Sequence, residues 1–177
     1  MHKIIELSYP NRNLHDLIKK ESAATNCTFF MSVLTGPVTT VVYAAGRNSS
    51  SFAIGQTSPA HISSVGQVII ASLPEKRWPD FLAGPTPVDA RSLSAEDVFR
   101  ELRNVRKRGV AWNKTHDDFW SVATKLELKS QVMLTGCSIL VKPEDCGPGK
   151  EALYEAQIKR LGKLLSDAAW PRLKAKI

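Results

Sequence analysis

The apolar residues of this chain recur at helical spacing in some stretches and gather into dense, β-branched runs in others. Leu14, Leu17 and Ile18 follow Asn13, a suitable N-cap, at the spacing of one helix face. This pattern predicts a helix over residues 13–24.

Two strands are predicted after this helix. Residues 27–34 and 38–45 are rich in aromatic and β-branched side chains, and Gly36-Pro37 separates them. Because glycine and proline interrupt strands and favour turns, the two segments are predicted to form a hairpin.

The next predicted helix begins at Ser58. The polar run 47–51 predicts a loop, and residues 52–54 predict a short strand that leads into the helix. Ser58 can act as the N-cap, and Pro59 suits the first helical position, where no N–H partner is needed. The apolar stripe of this helix consists of Ile62, Val65 and Ile69.

The second half of the chain contains a strongly predicted helix, three strands and a final helix. Ser94 and Asp97 have capping-box spacing, and Gly109 is placed to end the helix that they begin. The apolar stripe of this helix is Val98, Leu102 and Val105. The other predicted elements are a helical turn at 78–82, an irregular connection at 84–87, strands at 110–112, 122–126 and 131–141 with a turn near 127–130, a loop at 142–149, and a helix at 150–169 that ends at Trp170-Pro171.

The mixed order of these helices and strands predicts an α+β fold in which helices flank one sheet. A chain of 177 residues with no linker long enough to divide it is expected to form a single domain. No apolar run has the length of a membrane span, and residues 1–8 lack the features of an export signal. A cytoplasmic location is therefore expected.

Cysteine usage and charge exclude several classes of function. Cys27, Cys137 and Cys146 are odd in number and form no C-x-x-C pair, which indicates free thiols rather than a disulfide framework or a zinc site. The net charge of +7 is compatible with phosphate contacts. However, the basic residues concentrate on two predicted helices, and no helix-turn-helix, zinc finger or aromatic stacking platform accompanies them. We therefore interpret them as solvated helix faces.

The helix predicted at Ser58 is the strongest candidate for a binding site. Ser63, Ser64 and Gly66 are small, so the backbone N–H groups of its first turns are little shielded, and a bound anion can approach them. A carboxylate is the natural ligand for such a site. The alternative is that these small residues only let the helix pack closely against the sheet.

Several short motifs in order along the chain resemble one protein family. Pro59, Ala60 and His61, followed by Val65 and Gly66, resemble the P-x-H-A-S/T-x-x-G-K signature of the effector-binding domain of IclR-family transcription regulators. Residues 14–34 and 40–45 resemble the first helix and two strands of that domain, Leu73-Pro74-Glu75 its LPE turn, and residues 102–110 its L-x-x-V/I-R-x-x-G-Y/V helix end. The chain departs from the family pattern at Ile62, at Gln67 and at 112–116.

The resemblance implies a GAF-like fold, with a curved antiparallel sheet of about six strands flanked by helices and a ligand pocket on one face. It implies that residues 11–177 form the effector-binding domain and residues 1–10 the end of a connecting segment, with no winged helix-turn-helix in this chain. A small organic acid or aromatic metabolite is then the expected effector. DNA binding belongs to a separate N-terminal head, and the domain is expected to form a homodimer or tetramer.

The resemblance also implies a set of ligand-contacting positions. Trp112 and Trp120 flank the segment that closes the pocket in the family, so their flat rings either line the pocket or belong to the core. The predicted ligand-binding residues are Ser64, Val65, Gly66, Trp112, Asn113, Trp120, Ser121, Ala123, Ser138 and Leu140.

The alternatives are a free-standing sensor or a small cytoplasmic enzyme that uses the same pocket, the enzyme with His61 or Asp117 as acid or base. No G-x-S-x-G elbow accompanies His61, so a packed structural histidine is the simpler interpretation. The consecutive residues His116, Asp117 and Asp118 would not converge on one metal ion. Phosphate-binding loops are also absent from the sequence. We therefore expect no catalytic residue, metal or cofactor.

Overall fold

A six-stranded antiparallel sheet forms the centre of the fold. The computed structural model describes residues 12–25, 27–46, 54–82, 94–115, 118–127 and 134–168. The strands are β1 (Thr28–Thr35), β2 (Val38–Ala45), β3 (Thr57–Pro59), β4 (Ala111–Lys114), β5 (Trp120–Lys125) and β6 (Thr135–Val141), and they lie in the order β3-β2-β1-β6-β5-β4. The predicted α+β class and the curved, GAF-like sheet of about six strands are confirmed.

Helices cover both faces of this sheet. They are α1 (Arg12–Thr25), α2 (Ser64–Ser72), α3 (Ala95–Arg108) and α4 (Glu151–Ala168), with two short 3-10 helices, Glu75–Phe81 and Pro143–Asp145. Within the described ranges, no helix is long and apolar enough to cross a membrane.

The first face of the sheet packs against α1 and α4, and we call it the α4 face. Gly162 lets α4 approach closely, because a Cβ atom added there would lie 2.5 Å from Cγ2 of Thr124 on β5. The core on this side contains Ile18 of α1, Ile158, Leu161 and Leu165 of α4, and the strand residues Phe29, Met31, Tyr43, Val122, Cys137, Ile139 and Val141.

The second face packs against α2 and, beyond it, α3, and we call it the α2 face. Its core contains Val65, Val68 and Ile69 of α2, Val98, Leu102 and Val105 of α3, Trp78 and Phe81 of the first 3-10 helix, and Ala111 and Ala123 of the sheet. Because successive side chains of a strand point to opposite faces, Ala123 belongs to this core and its neighbour Val122 to the other.

The caps of α3 agree with the sequence. The Oγ atom of Ser94 accepts a hydrogen bond from the N–H of Asp97 at 3.1 Å. At the other end, Gly109 has φ of 73°, the left-handed conformation that favours glycine, and its N–H donates to the carbonyl of Val105 at 2.7 Å. Both predicted helix ends are confirmed.

The predicted N-caps of the first two helices are wrong. Ser58 and Pro59 lie in β3, where they pair with Thr39 and Val38 of β2, and α2 begins only at Ser64 with Ser63 as its N-cap. Ser58 and Pro59 have the local preferences of a helix start, but pairing with β2 places them in a strand instead. In α1, Asn13 lies inside the helix, which begins at Arg12.

The remaining boundaries agree to within a few residues, as expected for sequence patterns. Of the predicted strand at 52–54, only Ile54 is described, and it lies in a turn. Several other predictions fall outside the described residues: the connecting segment at 1–10, the loop at 47–51, the connection at 84–87, most of the turn at 127–130, the start of the strand at 131–141, and the helix end at Trp170-Pro171.

Candidate functional site

The α2 face brings together most of the predicted ligand-binding residues. Cross-strand pairing places Asn113 of β4 beside Ser121 of β5, and Ser121 beside Leu140 of β6. It also places Ala123 beside Ser138. Since paired residues share one face, these five side chains belong to one area at the start of α2, which is the candidate site.

The first turn of α2 presents backbone donors to this area. Oγ of Ser63 accepts a hydrogen bond from the N–H of Gly66 at 3.3 Å, and the carbonyl of Ser63 accepts from the N–H of Gln67 at 2.8 Å. Within the described part of the chain, the N–H groups of Ser64 and Val65 have no hydrogen-bond partner. A helix N-terminus with free donors carries partial positive charge and favours an anion.

Two of the predicted residues at this helix start serve close packing. A Cβ atom on Gly66 would overlap the carbonyl of Ala60, so glycine is required where the chain enters the helix. Cγ1 of Val65 occupies the space above Gly136 on β6, 2.8 Å from where a Cβ atom would lie. The packing interpretation of small residues therefore holds for part of this helix start.

Two side-chain contacts fix the start of α2 on the sheet. The hydroxyls of Ser64 and Ser121 form a hydrogen bond of 2.7 Å. Asn113 donates from Nδ2 to the carbonyl of Ile62, in the turn before the helix. These polar residues hold the free N–H groups of the helix in a defined position above β4 and β5.

Ser138 and Leu140 continue the site toward β1. Ser138 pairs with Phe30, and Leu140 pairs with Thr28. Ser138 is only 4% exposed, yet its hydroxyl forms no hydrogen bond with any other described residue. Its oxygen is not among the fully buried side-chain atoms that lack a hydrogen-bond partner. Ser138 therefore adds a polar, uncharged side chain to the candidate site.

The sequence did not identify the contribution of β1. Thr28, Phe30 and Ser32 lie on the α2 face, paired with Leu140, Ser138 and Gly136. Both faces of β1 are buried, so its hydrophobic pattern does not alternate and cannot reveal which residues face the site. One signal in the sequence could have indicated this face: Thr28 and Ser32 are polar residues of an otherwise largely apolar strand, and their spacing of four places both on the same face.

Trp112 and Trp120 do not lie with the other predicted residues. Their ring centroids are 6.3 Å apart on the α4 face, and the ring of Trp112 lies 6.5 Å from that of Tyr154 on α4. Nε1 of Trp112 donates to Oε1 of Glu155 at 3.1 Å. Each tryptophan precedes a residue of the α2 face, so strand alternation directs its ring to the opposite side. The structure thus places both rings against the core beneath α4.

His61 is buried and contacts the backbone of Phe81 in the first 3-10 helix. Burial lowers the pKa of His61, and a hydrogen bond with the backbone of Phe81 opposes this shift. Its Nδ1 has no hydrogen-bond partner among the described residues. The imidazole is therefore not linked to a carboxylate or hydroxyl as in a catalytic triad.

The described residues contain no group of three His, Cys, Asp or Glu side chains arranged to hold a metal ion. His116 and Asp117 lie outside the described residues, and Asp118 forms an ion pair with Lys114 at 2.6 Å. All three cysteines are free, and burial raises the pKa of Cys137 far above its ordinary value.

Solved structures similar to this chain include transcription regulators and domains of such regulators. The C-terminal domain of the Escherichia coli regulator KdgR has a TM-score of 0.74 and 17% identity, and the match covers 89% of this chain and 96% of the KdgR domain. IclR of Thermotoga maritima has a TM-score of 0.75 and 18% identity, and the match covers 95% of this chain and 73% of the IclR chain. The inducer-binding domain of PobR from Acinetobacter was solved as a double mutant in complex with 3-hydroxybenzoic acid. It has a TM-score of 0.71 and 12% identity, and the match covers 88% of this chain and 96% of the PobR domain.

No protein-family model matches the sequence, and no curated protein matches it. At identities of 12–18%, the structural likeness shows the fold alone. The fold implied by the resemblance to IclR-family effector-binding domains is confirmed.

Proposed function

We propose that this chain is the ligand-sensing domain of an IclR-type transcription regulator. It binds a small organic acid or aromatic metabolite on the α2 face, and binding changes how a separate N-terminal winged helix-turn-helix head engages DNA. The domain itself performs no catalysis and needs no metal or cofactor.

One observation carries this proposal. The N-terminus of α2 has unpaired N–H groups at Ser64 and Val65, and it lies on the same face of the sheet as the uncharged side chains of Ser121 and Ser138. Free backbone donors at a helix start suit a carboxylate, and a serine hydroxyl on the same face can hydrogen-bond a polar atom elsewhere on the same ligand. Phe30 and Leu140 supply apolar contacts beside that hydroxyl.

The likeness to regulator domains supports the same assignment. The inducer-binding domain of PobR shares this fold and was solved with a small aromatic acid. By analogy, a ligand of that size fits the proposed role here, although fold alone does not determine function.

A ligand at this position can influence the rest of the domain through α2. The Ser64–Ser121 hydrogen bond is part of the proposed site, and α2 packs directly against α3. A carboxylate that accepts hydrogen bonds from the start of α2 changes how strongly α2 contacts the sheet relative to α3. A sensor needs such a difference between free and bound states.

Self-association belongs to the same proposal, because regulators that read paired half-sites are symmetric dimers or tetramers. Light scattering at micromolar concentration tests this part, and a monomer mass across the concentration range would contradict it.

The test of ligand sensing is a thermal-shift screen of small metabolites, followed by titration calorimetry of each hit. Carboxylate-bearing compounds are expected to raise the melting temperature, because a ligand that binds only the native state stabilises it. A broad screen in which no compound stabilises the protein would contradict the sensor proposal. Product formation from a bound compound would support the enzyme hypothesis instead.

A further inference from the structure

Two buried side-chain atoms at the start of α2 have no hydrogen-bond partner in the described part of the chain. They are Nδ1 of His61, a residue that is 7% exposed, and Oε1 of Gln67. The two residues are already joined, because Nε2 of Gln67 donates a hydrogen bond to the backbone carbonyl of His61 at 3.0 Å. Buried polar atoms in native structures are nearly always paired with protein or with ordered water, since an unpaired one costs free energy. This pair of atoms therefore indicates a bound partner.

The hydrogen bonds of the His61 ring determine which of its nitrogens carries the proton. The ring bonds to the backbone of Phe81, and this bond by itself raises the pKa of His61. A bond with that effect favours the protonated ring, so a ring N–H donates to the carbonyl of Phe81. The donor is Nε2, because Nδ1 has no partner. Burial lowers the pKa and keeps the ring neutral at neutral pH, so Nδ1 has a lone pair and can only accept.

The orientation of the Gln67 amide is determined in the same way. Its NH2 group faces the carbonyl of His61, and exchanging the amide nitrogen and oxygen would bring two oxygens into contact. The other amide atom, Oε1, is therefore an acceptor as well. Two acceptors cannot bond to each other, so their partner must donate a hydrogen to each of them.

The surroundings favour an uncharged partner. Helix α2 contains no charged residue between Ser64 and Ser72, and no charged group among the described residues shifts the pKa of the imidazole. A cation bound between two neutral acceptors would lose its hydration without a carboxylate to compensate it. A water molecule is uncharged and has two O–H donors, which matches the two acceptors.

We infer that a water molecule is bound between His61 and Gln67, where it donates one hydrogen to Nδ1 and the other to Oε1. Together with the direct bond from Nε2 of Gln67, it links the first turn of α2 to the segment before the helix. Gln67 is then a positioning residue for the helix start, where the unpaired N–H groups of Ser64 and Val65 lie. This inference goes beyond ligand sensing and holds whether or not an effector is bound.

The experiment observes the ring and the water directly, by NMR of the full chain with isotope-labelled histidine. Long-range proton–nitrogen correlation spectra at neutral pH report which ring nitrogen carries the proton. Water-selective NOE and ROE spectra report a water of long residence near Hε1, the ring proton next to Nδ1. His61→Gln identifies the signals of this histidine among those of the others.

Gln67→Met is the test variant, because it removes the amide and keeps the length of the side chain. Gln56→Met is the matched control, since Gln56 is exposed and its backbone carbonyl keeps its bond from the N–H of Val41. A crystal structure of the unmodified chain complements the spectra.

The neutral ring is expected to be protonated at Nε2 alone, with a bound-water signal at Hε1 of His61. Gln67→Met should lose this water signal and lower the midpoint of urea unfolding, because one bridging partner and one direct hydrogen bond are removed. Gln56→Met should change neither. The crystal structure should place one water within hydrogen-bond distance of both Nδ1 and Oε1.

The inference is overturned if the proton of the neutral ring lies on Nδ1, if the unmodified chain shows no bound water beside His61, or if Gln67→Met keeps the full water signal. If Gln67→Met does not fold, the spectra and the crystal structure of the unmodified chain decide the question. None of these measurements depends on a metabolite, so a negative result here leaves the sensor proposal to its own test.

Discussion

The hydroxyl of Ser64 lies 2.7 Å from that of Ser121, although 57 positions separate the two residues in the chain. This contact joins the first residue of α2 to β5 and so fixes the helix start relative to the sheet. A ligand carboxylate at the free N–H groups of α2 would meet this pair first, which makes Ser64 the most informative position for a charge substitution.

Ser64→Asp is expected to abolish binding of carboxylate ligands. The new carboxylate would occupy the place of the ligand's own, and two like charges about 4 Å apart repel by about 4 kcal/mol near a protein surface. Ser64 is only 4% exposed, so desolvation of the new carboxylate should lower the melting temperature, and the favourable interaction with the helix N-terminus offsets part of this cost. Calorimetry with the best ligand of the screen provides the measurement.

Ser64→Ala is the control for this substitution, since it removes the hydroxyl without adding charge and should weaken binding only a few-fold. If Ser64→Asp binds a carboxylate ligand as the unmodified chain does, the anion site lies elsewhere.

Gly66→Ala is expected to destabilise the domain strongly. A Cβ atom at this position would overlap the carbonyl of Ala60, and backbone cannot move aside as easily as a flexible side chain. Overpacking of this kind costs about 1–3 kcal/mol or more. Gly147→Ala is the matched control, because nothing lies within 4 Å of a Cβ atom there. Urea unfolding distinguishes the two, and equal midpoints would contradict the close approach.

Local signals predicted much of this fold. Ser94 and Gly109 mark the ends of α3 because capping depends on neighbouring residues alone. Ser58 has the same local preference for an N-cap as Ser63, yet it pairs with Thr39 on β2. Sheet pairing is a long-range interaction, and a single sequence contains no local signal that distinguishes these two serines.

The site was predicted less completely, for reasons of strand geometry. Neighbouring residues of a strand point to opposite faces of the sheet, so Trp112 and Asn113 lie on different faces, as do Trp120 and Ser121. The sequence does not show which of the two neighbours faces the site. The contribution of Ser32 depends on the register between β1 and β6, which places it opposite Gly136. That register is set by the packing of the whole sheet.

Arg106→Ala is expected to lower the free energy of unfolding by about 1–3 kcal/mol. The guanidinium of Arg106 donates from Nε to the carbonyl of Ala71 at 2.6 Å and from Nη2 to that of Leu73, and it lies 4.7 Å from the ring centroid of Trp78. It thereby satisfies carbonyl groups at the C-terminus of α2, where positive charge is favourable.

Arg103→Ala is the matched control for Arg106→Ala. Arg103 pairs with Glu75, as Arg106 does, but forms no hydrogen bond to the backbone of α2 in the described residues. An exposed ion pair contributes about 0–1 kcal/mol. Urea unfolding should therefore show a larger loss for Arg106→Ala, and equal losses would assign its effect to the ion pair alone.

His61 is expected to make stability depend on pH. Burial lowers its pKa in the folded state, so the unfolded chain binds the proton more readily. The stability is fully present above the unfolded value of about 6.5 and falls as the pH decreases below it toward the folded pKa. His61→Gln should flatten the dependence of the urea midpoint between about pH 5.5 and pH 7.5, where most carboxylates do not titrate. Identical slopes for the two proteins would contradict this role.

Trp112→Phe and Trp120→Phe are expected to leave ligand affinity within about twofold of the original, well below the effect of losing one hydrogen bond to a charged group. Both rings lie on the α4 face, so neither contacts a ligand bound beside Ser64 and Ser138. Trp112→Phe should instead lower stability by about 1 kcal/mol, because the hydrogen bond from Nε1 to Glu155 is lost. Calorimetry and urea unfolding measure the two effects separately. A large loss of affinity in either variant, with stability unchanged, would place the ligand on the α4 face and would contradict the site described above.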